Sequence, residues 1–186
     1  MAIPHDGAAV RGQRGITLVE QIMILAILAV LVSVAVPSLS KLLGSNQLQI
    51  AQNDFITALM HARESAVFSG KRTLFCPTRD GSSCANEARW ERGWMLGHDA
   101  NGDNQPDHGA LYLGHSYAGK LNIQSSAGRR YVRFSPDGSA AGSNITLLFC
   151  TRGSKPGALS VVVSNSGRVR GAPATQAQAA SCAQLR

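Results

Sequence analysis

Apolar residues fill almost every position from Ile16 to Val36, a run of 21 residues in which only Thr17, Glu20, Gln21 and Ser33 are polar. As a helix this run would be about 31 Å long at 1.5 Å per residue, the thickness of a bilayer's hydrocarbon core. After Pro37 the pattern changes. Leu48, Ala51, Phe55, Ala58 or Leu59, Ala62 and Ala66 recur at helical spacing, while Gln49, Gln52, Asn53, His61 and Glu64 fall largely elsewhere. That spacing predicts an amphipathic helix over 37–70, softened at Pro37 and Gly44 and stopped at Gly70, whose small-residue face packs on a sheet. From Lys71 onward the period is two, between clusters of Gly, Asn and Ser. It predicts strands at Thr73–Cys76, Gly93–Gly97, Ala110–Gly114, Leu121–Gln124, Tyr131–Phe134, Ile145–Cys150 and Leu159–Ser164. The predicted fold is α+β: a long N-terminal helix, its first half (16–36) transmembrane, packed on a β-rich C-terminal domain (71–186) of antiparallel sheets.

The 186 residues leave room for one anchor and one domain of about 100 to 150 residues. A low aromatic content of 5% implies a modest core. The net charge of +7 is unevenly placed: Ile16 to Gly128 carry eight Lys or Arg against nine Asp or Glu, whereas Arg129 to Arg186 carry eight against Asp137 alone. A basic C-terminal stretch points to a polyanion or an acidic partner, with a solvated basic face as the plain alternative. Residues 1–15 hold Arg11 and Arg14 against Asp6, which places this leader in the cytoplasm and everything beyond the anchor in the periplasm. Cys76, Cys84, Cys150 and Cys182 suit that oxidising space as two disulfides; of the three possible pairings, sequence order favours Cys76 with Cys84 and Cys150 with Cys182. There is no C-x-x-C pair to suggest zinc, and no cofactor is expected.

Glu20 is the odd residue in the apolar run, since an acidic group deep in hydrocarbon costs about 2.5 to 3.5 kcal/mol. A cut after Gly15 would make Ile16 a cationic terminus four residues away, able to neutralise the carboxylate between packed copies. Here the chain resembles the type IV pilins and type II secretion pseudopilins, on Gly15, Thr17, Leu18, Val19, Glu20 and Pro37, with Ile16 where Phe is usual and Gln21 where an apolar residue is usual. The resemblance implies a prepilin peptidase that removes residues 1–15 and N-methylates Ile16. It further implies assembly through Glu20 with other major and minor pilins, and a single pass through the inner membrane before the subunit joins a pilus at the cell surface. A secretory signal peptide, by contrast, has a shorter apolar core and a small-x-small cut site.

Further pieces resemble the FimT and GspH minor pilins: Ala62-Arg63-Glu64-Ser65-Ala66, Cys76-Pro77, Trp90 with Gly93-Trp94, an Asp-Asn loop, Arg133-Phe134-Ser135-Pro136-Asp137-Gly138, and Ser166-Gly167-Arg168-Val169-Arg170. If the last three residues are extended, Arg168 and Arg170 point to one side about 6.7 Å apart while Val169 faces the core. Arginine suits phosphate because its planar fork stays charged and gives paired hydrogen bonds. The FimT-like resemblance implies that Gly167, Arg168 and Arg170 bind DNA during natural transformation, and the basic residues Arg152, Lys155 and Arg186 are expected to help them. Contact would be with duplex phosphates, without reading sequence; aromatic platforms for single strands are scarce nearby. Two alternatives stand beside it: arginines that guard an edge strand or pair with a neighbouring subunit, and a GspH-like minor pseudopilin of type II secretion with a structural role and no DNA binding.

Asp99, Asn101, Asp103 and Asp107 have the spacing of a calcium loop, but Asn104 replaces the turn glycine and Ala110 stands at the twelfth position. The stretch reads as an Asx-rich surface loop, and no metal site is expected. His61 reads as a surface residue. His98, His108 and His115 have no nucleophile, metal triad or paired carboxylates beside them, so an enzyme is not expected.

Overall fold

The computed structural model describes residues 17–152 and 157–184. Gly15, Ile16, Lys155 and Arg186 lie outside the described residues. The chain divides into two compact units, residues 1–41 and 42–186, and helix α1 (Leu18–Ser69) contributes to both.

In the first unit, α1 begins where Thr17 caps it: the Glu20 N–H donates to Thr17 Oγ1 at 3.3 Å. Thr17 and Glu20 therefore take the N-cap and N3 positions of a Thr-x-x-Glu capping arrangement, where a carboxylate also favours the positive end of the helix dipole. The signal for this local role of Glu20 lies in Thr17-Leu18-Val19-Glu20 itself, behind the assembly role that the same residues suggest. The stretch Leu18–Val36 has a mean hydropathy of 2.5 and is long and apolar enough to cross a membrane.

In the second unit, the rest of α1 lays the face predicted from its spacing, Leu48, Ala51, Phe55, Ala58, Leu59, Ala62 and Ala66, into the core. Ser69 ends the helix and Gly70 turns the chain away with φ +65°. Among the described residues eight strands follow: β1 (Thr73–Pro77), β2 (Trp94–His98), β3 (Tyr112–Gly114), β4 (Leu121–Ser125), β5 (Val132–Phe134), β6 (Ile145–Thr151), β7 (Ala158–Val163) and β8 (Val169–Pro173). They form two four-stranded sheets, ordered β3-β2-β1-β5 and β4-β6-β7-β8, and every pairing is antiparallel.

The inner faces of both sheets share one core with the helix. Phe75, Trp94, Leu96, Val132 and Phe134 come from one sheet; Leu121, Ile123, Leu147, Phe149, Val161 and Val163 come from the other. Phe55 stands at the centre, with Phe75, Trp94 and Phe149 at 5.9, 5.6 and 5.1 Å between ring centroids, each edge to face. Gln52, which the polar pattern sets off this face, is buried on it, because its Nε2 donates to the carbonyls of Ser160 at 2.8 Å and Ala172 at 3.3 Å. The amide thus ties the helix to β7 and β8.

Cys76 pairs with Cys84 and Cys150 with Cys182. The second bridge fastens α2 (Gln176–Gln184) onto β6. It closes the longer loop, 32 residues against 8, so the unfolded chain gains more freedom when it is cut. Reduction is expected to cost about 2 to 4 kcal/mol per bridge, with Cys150→Ser/Cys182→Ser at the upper end. Urea melts of the two double variants would check this, and a larger loss for Cys76→Ser/Cys84→Ser would contradict it.

Candidate nucleic-acid interface

The hairpin that carries the arginines starts from β7, an apolar strand pinned between β6 and β8. Its last residue, Val163, pairs with Val169, and the five residues between them form a tight turn. Gly167 N–H donates to the Ser164 carbonyl at 2.9 Å, Ser164 N–H donates to the Arg168 carbonyl at 3.0 Å, and Arg168 N–H donates to Ser164 Oγ at 3.2 Å. Gly167 takes φ +76°, a conformation that costs other residues about 1 to 2 kcal/mol.

A second turn meets this one. After β5, Ser135 N–H donates to the Ser139 carbonyl and Gly138 N–H to the Ser135 carbonyl, each at 2.8 Å. The Ser139 N–H donates to Asp137 Oδ1 at 2.9 Å and holds that carboxyl below its usual range. Gly138 then offers its carbonyl to Arg63 Nε of α1 at 2.9 Å, and Ala140 N–H donates to the Asn165 carbonyl at 2.9 Å. Gly167 is pressed so closely onto this turn that a Cβ there would lie 1.9 Å from the Gly138 oxygen. Three of the motifs singled out in the sequence therefore converge: Arg63 in the helix, Ser135 to Gly138, and Ser166 to Arg170. Arg63 acts as a clamp between them.

Because Asp137 has a lowered pKa when folded, its contribution to stability is complete above the unfolded value near 3.9 and is lost as pH falls through the folded one. Asp137→Asn should therefore lose less stability than wild type between about pH 5 and pH 2. Equal losses in denaturant melts would remove Asp137 from the account.

Arg168 and Arg170 are exposed and Val169 between them is half-buried, packed against the core. The alternation puts both guanidinium groups on the solvent side of an edge strand. Arg152 is exposed too, but it does not join them. In the antiparallel register Cys150 pairs with Ala158 at one end of β7, whereas Val169 pairs with Val163 at the other. Arg152 thus stands roughly 17 Å along the strand from the arginine turn.

The register brings other cations to that end. Phe134 pairs with Thr73, so Lys71 and Arg72, just before β1, stand beside Ser135 where β5 leaves the sheet. Arg133 is half-buried, its Nη1 donating to Asn104 Oδ1 at 3.2 Å and its guanidinium 5.9 Å from the Tyr131 ring centroid. Arg129 and Arg130 hold loops, donating to the Gly142 carbonyl and to Asn86 Oδ1 respectively.

The Asp-Asn loop closes largely on itself. Asp99 is buried, with Oδ1 accepting from Gly102 N–H at 2.8 Å and Oδ2 without a hydrogen-bond partner. Asp103 Oδ1 accepts from Gln105 N–H, and Asp107 Oδ2 from Ala100 N–H. Among the described residues no three acidic, histidine or cysteine side chains gather to hold a metal ion.

The family described as "Type II transport protein GspH" matches residues 51–167. No curated protein matches the chain. Among solved structures, it is similar to the type IV minor pilin FimU of Pseudomonas aeruginosa (strain PAO1) in two crystal forms. The first has 20% identity and a TM-score of 0.57, covering 69% of this chain and 90% of that one; the second has 20% identity and a TM-score of 0.53, covering 67% and 92%. At such identity the likeness shows the fold: a pilin-type helix with antiparallel sheets.

Proposed function

This chain belongs to the GspH family of type II transport proteins, and from that membership we propose that it is a minor pilin of a type IV pilus that takes part in assembly and binds extracellular DNA for uptake in natural transformation. The observation that carries the DNA half is the display of Arg168 and Arg170, both exposed on a turn braced by Gly167, Gly138 and Arg63. Two charged forks on a rigid support neutralise phosphates at little entropic cost, without reading bases.

The test is titration of a labelled short duplex of arbitrary sequence with the full chain in detergent, beside Arg168→Ala/Arg170→Ala, at several salt concentrations. Wild type should bind and weaken with salt. The double variant should lose roughly tenfold or more, and its log–log salt slope should fall by about 2, near 0.9 per phosphate contact removed. An edge-strand guard predicts no change in DNA binding and more aggregation.

The assembly half rests on the N-terminus. The prepilin peptidase cuts after Gly15 and methylates Ile16, and Glu20 pairs with the new amine between subunits in the filament core, where other apolar helices replace the lipid. Gly15→Ala should leave an uncut band on a gel. Glu20→Gln is the sharper variant, because Gln at N3 keeps the capping arrangement with Thr17 and removes only the charge. It should reach the membrane and fail to enter pili, and wild-type incorporation would end the charge-pairing account.

A second reading is favoured by the family description: a minor pseudopilin of type II secretion, structural in role, whose basic end meets an acidic pilin or exported protein. Absence of DNA binding by the wild type would select it.

A further inference from the structure

Beside the Ser135–Ser139 turn lies an open cleft of about 370 Å³ lined by Lys71, Arg72, Arg133, Ser135 and Pro136, with Gly70, Ala100 and Ala141 completing it. Three cations face it and no carboxylate lines it. Asp99, next to Ala100, and Asp137, next to Pro136, are the nearest acids in sequence to its walls. Asp137 is engaged by Ser139 N–H, and Asp99 is buried, with Oδ1 accepting from Gly102 N–H and Oδ2 without a hydrogen-bond partner. In the same loop Asp103 is engaged by Gln105 N–H and Asn101 Nδ2, and Asp107 by Ala100 N–H.

The cleft and the arginine turn flank one piece of backbone: Ser135 and Pro136 line the cleft, while Gly138 of the same turn touches Gly167. The two guanidinium groups of the cleft have close neighbours. Arg133 is fixed by Asn104 and Tyr131, and Arg72 lies so close to Gly102 that an added Cβ there would stand 2.8 Å from its Nη2. Guanidinium groups immobilised in advance lose little freedom when an anion arrives. A concave site with an excess of one charge also focuses its field on the opposite charge.

We infer that this cleft is a second phosphate-binding site, which takes the DNA backbone on the far side of the Ser135–Ser139 turn from Arg168 and Arg170 and extends one basic footprint across that end of the domain. The inference rests on the DNA-binding reading above and deepens it. It assigns the supporting cations to Lys71, Arg72 and Arg133 in place of Arg152 at the other end of the strands.

The experiment is the same duplex titration with the full chain in detergent, comparing wild type, Lys71→Ala/Arg72→Ala and Arg168→Ala/Arg170→Ala. The cleft variant should bind roughly fivefold to tenfold more weakly, with a log–log salt slope shallower by about 2. A melting curve accompanies each variant. Should Lys71→Ala/Arg72→Ala fail to fold, Lys71→Glu, at an exposed position, decides instead, and a loss of at least fivefold is expected. Wild-type affinity and slope in the cleft variant, with loss in the Arg168/Arg170 variant, would overturn the second site and leave DNA binding standing. No binding by wild type would remove both. Inorganic phosphate should compete only weakly, since one site would then act without its neighbour; full competition by phosphate would assign the cleft to a free anion and overturn the footprint.

Discussion

Replacing Gly167 by alanine is expected to cost about 2 to 5 kcal/mol, a large part of the stability of a domain this size. Two separate penalties add. The φ of +76° alone costs an L-residue about 1 to 2 kcal/mol. The new methyl would then sit 1.9 Å from the Gly138 oxygen, a backbone atom that cannot rotate aside, so the two turns must part, at about 1 to 3 kcal/mol more. Gly119 provides the control, having φ +83° and nothing within 4 Å of the place a methyl would occupy. Gly119→Ala should show the conformational cost only, about 1 to 2 kcal/mol. Denaturant melts of the pair separate the terms, and equal losses would mean that the Gly138 contact contributes nothing. Parting the turns also frees Arg168, so on the proposed DNA-binding role Gly167→Ala should weaken binding even where it remains folded.

The second large effect is expected at Phe55. Its ring meets Phe75, Trp90, Trp94, Tyr117 and Phe149, with centroids between 5.1 and 6.4 Å, and it is fully buried. Phe55→Ala opens a cavity among rigid rings that collapse poorly, which costs about 3 to 5 kcal/mol. At about 2 to 4 °C per kcal/mol, the melting temperature should fall by roughly 6 to 20 °C. Phe55→Leu should recover much of the loss, because it keeps most of the apolar volume. A shift of only 1 or 2 °C for the alanine variant would show that the helix and the two sheets do not share one core.

The elements legible in the sequence are those whose side chains alternate for a physical reason. α1 buries one face, so its small and apolar residues recur at helical steps, and Thr73–Cys76 or Ile145–Cys150 bury residues densely enough to read as strands. β8 is harder. Gly171, Ala172 and Pro173 have little strand propensity, and they are extended because β7 presents an unpaired edge to them. α2 is rich in Ala and Gln and owes its placement to Cys182. Of the site, the exposure of Arg168 and Arg170 follows from simple alternation. Arg152 lies elsewhere than expected because proximity in sequence to a hairpin says nothing about which end of an antiparallel pair a residue occupies. The clamp from Arg63 to Gly138 spans 75 residues, and no local pattern encodes it.

The bridge between Cys150 and Cys182 encloses β7, the arginine turn and β8 within one covalent loop. Mechanical load is where this matters. A strand at the edge of a sheet unzips one hydrogen bond at a time when pulled from its end, and a load applied at Arg168 or Arg170 would pull in that manner. The loop adds a second covalent route beside the main chain of β7: once β8 has peeled from β7, force also passes through the sulfur atoms to β6, which is flanked by β4 and β7. The oxidised protein thus shares such a load between two routes, and the reduced protein carries it on β7 alone.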